Sequence, residues 1–340
     1  MRADAAEGMG ASVGRDERDQ RGGGAKRNRK LAARSGSVAI VAAVGAAIVA
    51  AGASFTNSTE SLARRTADAE VLKNDTSLAA ATPDGRVRTK GPREPGDAFI
   101  FRNWARLSQE SYYLSQNVNP WSGTGAGFRR DHVERRKDRL ILHLTSQADR
   151  GKDFSGAEFQ VKGFYGYGRY EIVMRPPGGS GAYSAFFTHT DDFFKDPHDE
   201  IDIEFLGRNT RQMHINHFTD NHSHGSYYAK LPFDFTDGFH LYAFEWSPDA
   251  IRWYADDQFL YEVRAPEARI PDHAGRVITN IMTGSDAAVD WMGKRDFGGS
   301  AQAEILCMSH VPLGVTAPEC SDDRDLRRIL RNGGDAPPAD

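Results

Sequence analysis

Three carboxylates recur at every second residue in Asp199-Glu200-Ile201-Asp202-Ile203-Glu204-Phe205-Leu206-Gly207, with Ile201, Ile203 and Phe205 in the gaps. In an extended strand this alternation puts Glu200, Asp202 and Glu204 on one face and the apolar groups on the other. At a rise of about 3.3 Å per residue, the Cα atoms of Glu200 and Glu204 stand roughly 13 Å apart, a gap that two inward-leaning Glu side chains can largely close. Their carboxyls then approach the separation of about 5 to 5.5 Å at which glycosides are hydrolysed with retention, one group acting as nucleophile and the other as acid and then base. Asp202 sits between them. Three acids on one face repel one another, so at least one is expected to have a raised pKa and to hold a proton near neutral pH. The same alternation also describes a half-exposed strand with a solvated face, or an acidic face for a cation, and the pattern by itself leaves these readings open.

The elements that must position such a strand are themselves strands. From Ala98 to about Val311, short apolar or alternating runs such as Leu140 to Leu144, Gly168 to Met174, Tyr183 to His189, Met213 to Phe218, His240 to Trp246 and Val277 to Met282 are separated by Gly, Pro, Asp and Asn. Many short strands at close spacing predict an all-β sandwich, and Trp253-Tyr254-Ala255-Asp256-Asp257-Gln258-Phe259 reads as a hairpin turning at Asp256-Asp257. A net charge of -4 over 340 residues offers no global basic field for nucleic acid.

His198 to Gly207 closely resembles the signature of family 16 glycoside hydrolases, and Tyr165-Gly166-Tyr167-Gly168-Arg169-Tyr170-Glu171, Ser184-Ala185-Phe186-Phe187-Thr188, Gly238 to Trp246 and Ile251-Arg252-Trp253-Tyr254 resemble that family's other blocks in the same order. The resemblance is to bacterial licheninases and to endo-β-glycanases that cut succinoglycan-type exopolysaccharides. It implies a curved, concanavalin-like β-jelly-roll sandwich with a sugar cleft on its concave face. Carried over residue by residue, it implies Glu200 as nucleophile, Glu204 as acid/base and Asp202 as the neighbour that orients and tunes the nucleophile. Glu158, Phe187, His198, Asn216, Phe218 and Asn280 fall at cleft-lining positions, although Phe187 and Phe218 taken alone read more readily as core. No cofactor is required by this chemistry, and relatives carry a structural calcium for which no ligand set stands out here. Two departures bear on specificity, because His198 and Met282 stand where licheninases carry cleft Trp residues. A third affects the last strand, where Ile305-Leu306-Cys307-Met308 replaces an Asp-Trp-Val ending.

Residues 1–37 form a basic arm, and residues 38–54 read as a signal or membrane-anchor segment, within an uncharged run from Ser35 to Thr59. Either way, the positive flank keeps the N-terminus cytoplasmic and places the rest of the chain outside, in the periplasm, secreted or anchored. Residues 55–95 read as a linker, 96–313 as the sandwich and 314–340 as a polar tail, with a short helix from Asp322 to Arg331 and a disordered end from Gly333. Cys307 and Cys320, the only cysteines, are equally readable as a disulfide or as two thiols.

His214, His217, His222 and His224 do not read as a metal centre, because His214 and His217 point to opposite faces of a strand. No Gly-x-Ser-x-Gly elbow or phosphate loop is present. The sequence therefore predicts an exported, monomeric retaining endo-β-glycanase acting on a β-glucan or exopolysaccharide. Its alternatives are a transglycosylase using the same residues, and a carbohydrate-binding jelly roll without catalysis.

Overall fold

The computed structural model describes residues 96–335. The arm, export segment and linker expected over residues 1–95 lie outside the described residues, as do residues 336–340. Sixteen strands run in order: β1 (Phe99–Phe101), β2 (Tyr112–Leu114), β3 (Ala126–Phe128), β4 (Val133–Arg135), β5 (Leu140–Thr145), β6 (Phe154–Val161), β7 (Gly168–Arg175) and β8 (Ala182–Thr190), then β9 (Asp199–Leu206), β10 (Gln212–Thr219), β11 (His222–Lys230), β12 (His240–Trp246), β13 (Ala250–Ala255), β14 (Gln258–Arg264), β15 (Arg276–Thr283) and β16 (Ser300–Pro312). Two short helices, α1 (Val289–Met292) and α2 (Arg324–Arg331), complete the regular structure together with several 3-10 turns.

The acid-bearing strand β9 lies inside the half-sheet β11-β10-β9-β8-β15-β6, and the second half-sheet runs β5-β16-β7-β12-β13-β14, with a single β5–β6 pairing, Thr145 opposite Ser155, joining the two. The β-branched and aromatic groups that make β9 a strand are also its inward anchor. Ile201, Ile203 and Phe205 are fully buried, and the Phe205 ring meets Tyr242 of β12 edge-on at 4.6 Å between centroids. Each such side chain contributes about 1.5–3 kcal/mol of burial, which fixes the register, since a slip of one residue would turn three carboxylates into the core. The two layers are also pinned by a hydrogen bond from Trp253 Nε1 to the Asp202 carbonyl, 3.0 Å. At the end of β9 a side chain on Gly207 would collide with the Gly179 carbonyl, so the chain can leave the sheet there only as glycine.

The hairpin expected at Asp256-Asp257 is present, with φ of 45° and 62° at the two residues, as a tight two-residue turn requires. The last strand is long, and β16 pairs with β5, β7 and β1 along its length.

Beyond residue 313 the short helix expected in the polar tail is present as α2, and the segment is packed against the sheet. Cys320 is disulfide-bonded to Cys307, with Cα atoms 5.8 Å apart. Leu326 of α2 is buried in a second cluster with Val173, Phe239, Leu241 and Leu306 on the far side of β7, β12 and β16. Gly334, expected in a disordered end, accepts a hydrogen bond from the Phe239 amide, 3.0 Å. The docking was not legible in the sequence because α2 is mostly charged, and its few apolar residues find partners such as Val173 and Phe239 far back in the chain.

His310 is fully buried on β16, its ring 4.3 Å from that of Tyr170. Burial outweighs the backbone carbonyls of Gly166 and Asp97 and pushes its imidazole down to about 3. The unfolded chain takes up this proton near pH 6.5, while the fold resists it until about pH 3. Stability conferred by the neutral ring is therefore present above about pH 6.5 and is lost as pH falls below it. Urea titrations at pH 7 and pH 4.5 should show the wild type losing about 2 kcal/mol more than His310→Phe, and parallel losses would refute the assignment.

Candidate active site

Antiparallel pairing brings directly opposed residues onto one face. Glu200 stands opposite His189 of β8 and Phe218 of β10, Asp202 opposite Phe187 and Asn216, and Glu204 opposite Ala185 and His214. The last row continues outward, with Asn280 of β15 opposite Ala185 and Glu158 of β6 opposite Asn280. All five cleft positions named on these strands therefore share the face of the three acids. His198, just before β9, joins them by stacking on Phe218 with centroids 4.5 Å apart.

The three carboxylates have different surroundings. Glu200 Oε2 meets His189 Nδ1 at 2.5 Å and His198 Nε2 at 3.0 Å. Burial alone would raise its pKa, but these two hydrogen bonds and the charge on the imidazoles hold it well below the usual carboxylate range. Asp202 is buried, and burial together with the charges of Glu200 and Glu204 pushes its carboxyl well above that range. The acid pushed up is thus Asp202, the middle one, by burial first and by repulsion second. Glu204 accepts a hydrogen bond from the Tyr183 hydroxyl at 2.6 Å on Oε1 and is hydrogen-bonded to His214 Nδ1 through Oε2. Buried Tyr183, with its own pKa pushed up first by burial and then by the acids, is a donor to that carboxyl group.

Beside Glu204 opens a cavity of about 260 Å³ lined by Leu206, Arg208, Asn209, Gln212, His214 and Tyr228. Trp291 of α1 lies 5.4 Å from Tyr183 and 5.8 Å from His214 between ring centroids, and Trp121 packs edge-on against Trp291 at 5.8 Å. Trp121 is 43% exposed. α1 and the loop carrying Trp121 thus supply aromatic surface near the acids, on a face where the sequence lacks two expected Trp residues. Asn280 Oδ1 is buried without a hydrogen-bond partner, an acceptor available to a ligand hydroxyl. Glu158, by contrast, already accepts from Ser115 Oγ at 2.5 Å and Gln160 Nε2 at 2.8 Å.

Sequence reasoning did not assign His189, Tyr183, Trp121 or Trp291, and it named His214 only to set it aside as a metal ligand. For two of them a signal existed: Tyr183 and His189 have the same parity as Phe187 along β8 and must share its face. His214 and His217 do point to opposite faces, since His217 sits opposite Ile201 and its ring nitrogen contacts the Arg269 carbonyl. Among the described residues two groups of side chains have metal-ligand spacing, Asp199 with Asp220 and His273, and His189 with His198 and Glu200. Neither assembles the oxygen-rich shell that calcium takes.

A two-layered β-sandwich bearing a row of acids and amides, walled by aromatic rings, is an arrangement suited to carbohydrate and found among glycoside-cleaving proteins. Residues 123–297 match the signature of Glycosyl hydrolases family 16, and the chain belongs to that family. It is 35% identical to a beta-glucanase of Paenibacillus macerans over 205 residues, 59% of this chain and 84% of that protein. It is 38% identical to the endo-1,3-1,4-beta-glycanase ExoK of Rhizobium meliloti over 182 residues, 53% of this chain and 66% of that protein. A prokaryotic beta-1,3-1,4-glucanase (lichenase) derived from a mouse hindgut metagenome superposes with a TM-score of 0.60 at 28% identity, covering 64% of this chain and all of that one. The chain is therefore a glycoside hydrolase with a jelly-roll sandwich, similar to endo-1,3-1,4-β-glucanases.

Proposed function

We propose that the protein is a retaining endo-β-glycanase that hydrolyses a β-glucan or a related bacterial exopolysaccharide by double displacement. One observation carries this reading: Glu200 and Glu204 emerge from the same face of β9 on either side of Asp202, in different hydrogen-bonding environments. Glu200, aligned by two imidazoles, attacks the anomeric carbon. Glu204, held by Tyr183 and His214, enters the step protonated, gives that proton to the departing oxygen, and later takes one from the water that releases the sugar. Asp202 keeps its proton and donates it towards Glu200, orienting the attacking oxygen. The neighbouring cavity and the Trp291 and Trp121 rings suit the apolar faces of pyranose units, and Asn280 Oδ1 suits a sugar hydroxyl.

Export from the cytoplasm belongs to the same proposal. It is supported by the charge pattern of the first 59 residues and by a disulfide, which persists outside the reducing cytosol. No helix among the described residues is long and apolar enough to cross a membrane.

The test is a panel of mixed-linkage β-glucan, β-1,3-glucan and acidic exopolysaccharides, read by reducing ends, with proton NMR of the first-formed anomer. Rapid chain shortening with the β-anomer appearing first is expected. An α-anomer first would mean inversion and would remove Glu200 as nucleophile, and binding without shortening would leave only the lectin-like alternative.

A further inference from the structure

We propose that His189, His198 and Glu200 form a binding site for a divalent transition-metal ion of the zinc type. Their ligand atoms all lie within 4.8 Å of one another, and none of the three residues is fully buried. Two imidazoles and a carboxylate are a donor set that suits zinc, with a fourth position left for water. His189 Nδ1 and His198 Nε2 already converge on Glu200 Oε2 at 2.5 and 3.0 Å. A tetrahedral zinc ion with arms of about 2.0–2.1 Å places its ligand atoms about 3.3 Å apart, so these contacts open by less than an ångström and release their hydrogen-bonding protons to solvent as the ion enters.

The surroundings have the form of a built metal site. The other ring nitrogen of His189, Nε2, faces Asp191 Oδ2 at 3.4 Å, an outer carboxylate of the kind that fixes the tautomer and raises the basicity of a ligating imidazole. The His198 ring is held flat on Phe218, and the backbone amide of His198 donates to Asn221 Oδ1 at 3.0 Å. Both histidines are thus positioned before any metal arrives. The second group differs. Asp199 already accepts from the backbone amides of Asp220, Asp272 and His273 and meets His273 Nδ1, so its oxygens are committed to protein donors. Both cysteines are in the disulfide and offer no competing thiolate.

Occupancy would hold Glu200 Oε2 on the metal, draw charge from the carboxylate and place the ion in front of it. If Glu200 is the nucleophile of the proposed double displacement, zinc therefore stops turnover, while the binding site itself does not depend on that reading.

The experiment is calorimetric titration of the intact protein with zinc chloride, repeated with His189→Ala, His198→Ala, Asp191→Asn and Glu200→Gln, each checked for folding by circular dichroism. One saturable site is expected, weakened at least about tenfold in either histidine variant and about tenfold in Asp191→Asn. His273→Ala should bind as the wild type does, and calcium at the same concentration should not compete, because it prefers all-oxygen shells. Should a histidine variant fail to fold, Glu200→Gln, nearly isosteric, carries the same expectation of loss. Absence of saturable binding, or affinity unchanged in the folded variants, would overturn the site. In parallel, zinc should abolish glucan hydrolysis and EDTA should restore it, and a zinc-saturated protein with full turnover would overturn the silencing. If binding depends on the histidines but Glu200→Gln remains fully active, the metal site stands and the catalytic assignment falls.

Discussion

Glu200→Gln and Glu204→Gln should each lower turnover of a susceptible β-glucan by at least about 10³-fold, a loss of about 4 kcal/mol in transition-state stabilisation, while the protein stays folded. The two losses have different origins. A glutamine at 200 keeps one oxygen for His189 or His198 but has no anionic oxygen to form the glycosyl bond. A glutamine at 204 still accepts from the Tyr183 hydroxyl but can neither give nor take a proton. Initial rates on the best polysaccharide of the panel, with circular dichroism alongside, measure both. A variant retaining a tenth of wild-type turnover would remove that residue from the mechanism.

Cys307→Ser should lower thermal stability by about 3 kcal/mol, the loop-closure contribution expected for a bridge across 13 residues. For a domain of this size that corresponds to a fall in Tm of about 6–12 °C. The bridge ties the residue 314–335 segment to the far side of β7 and β16, away from the acids, so catalysis at room temperature should persist. Calorimetric scans of the variant and of reduced wild type should agree, and a Tm within a degree of the oxidised protein would show that packing of Leu326 alone secures the segment.

That the three acids share one face was legible because the information is local. Acids at 200, 202 and 204 between Ile201, Ile203 and Phe205 can satisfy burial only as a strand with an acidic face, and period-2 geometry needs no tertiary knowledge. The hairpin at Asp256-Asp257 was legible for the same reason, since turn chemistry resides in adjacent residues.

What the chain alone determined, then, is that three carboxylates share one face and that their neighbours form a sandwich. Which of the three is pushed up and which is held down was decided only by the fold, because a pKa depends on burial and on charges brought close from β8, β10 and the loop before β9. The pairing of Cys307 with Cys320, the return of α2 to the sheet and the placing of Trp121 and Trp291 beside Glu204's partners were likewise decided in three dimensions. Each joins residues whose proximity is set by strand register and loop path, and no spacing along the chain encodes that distance.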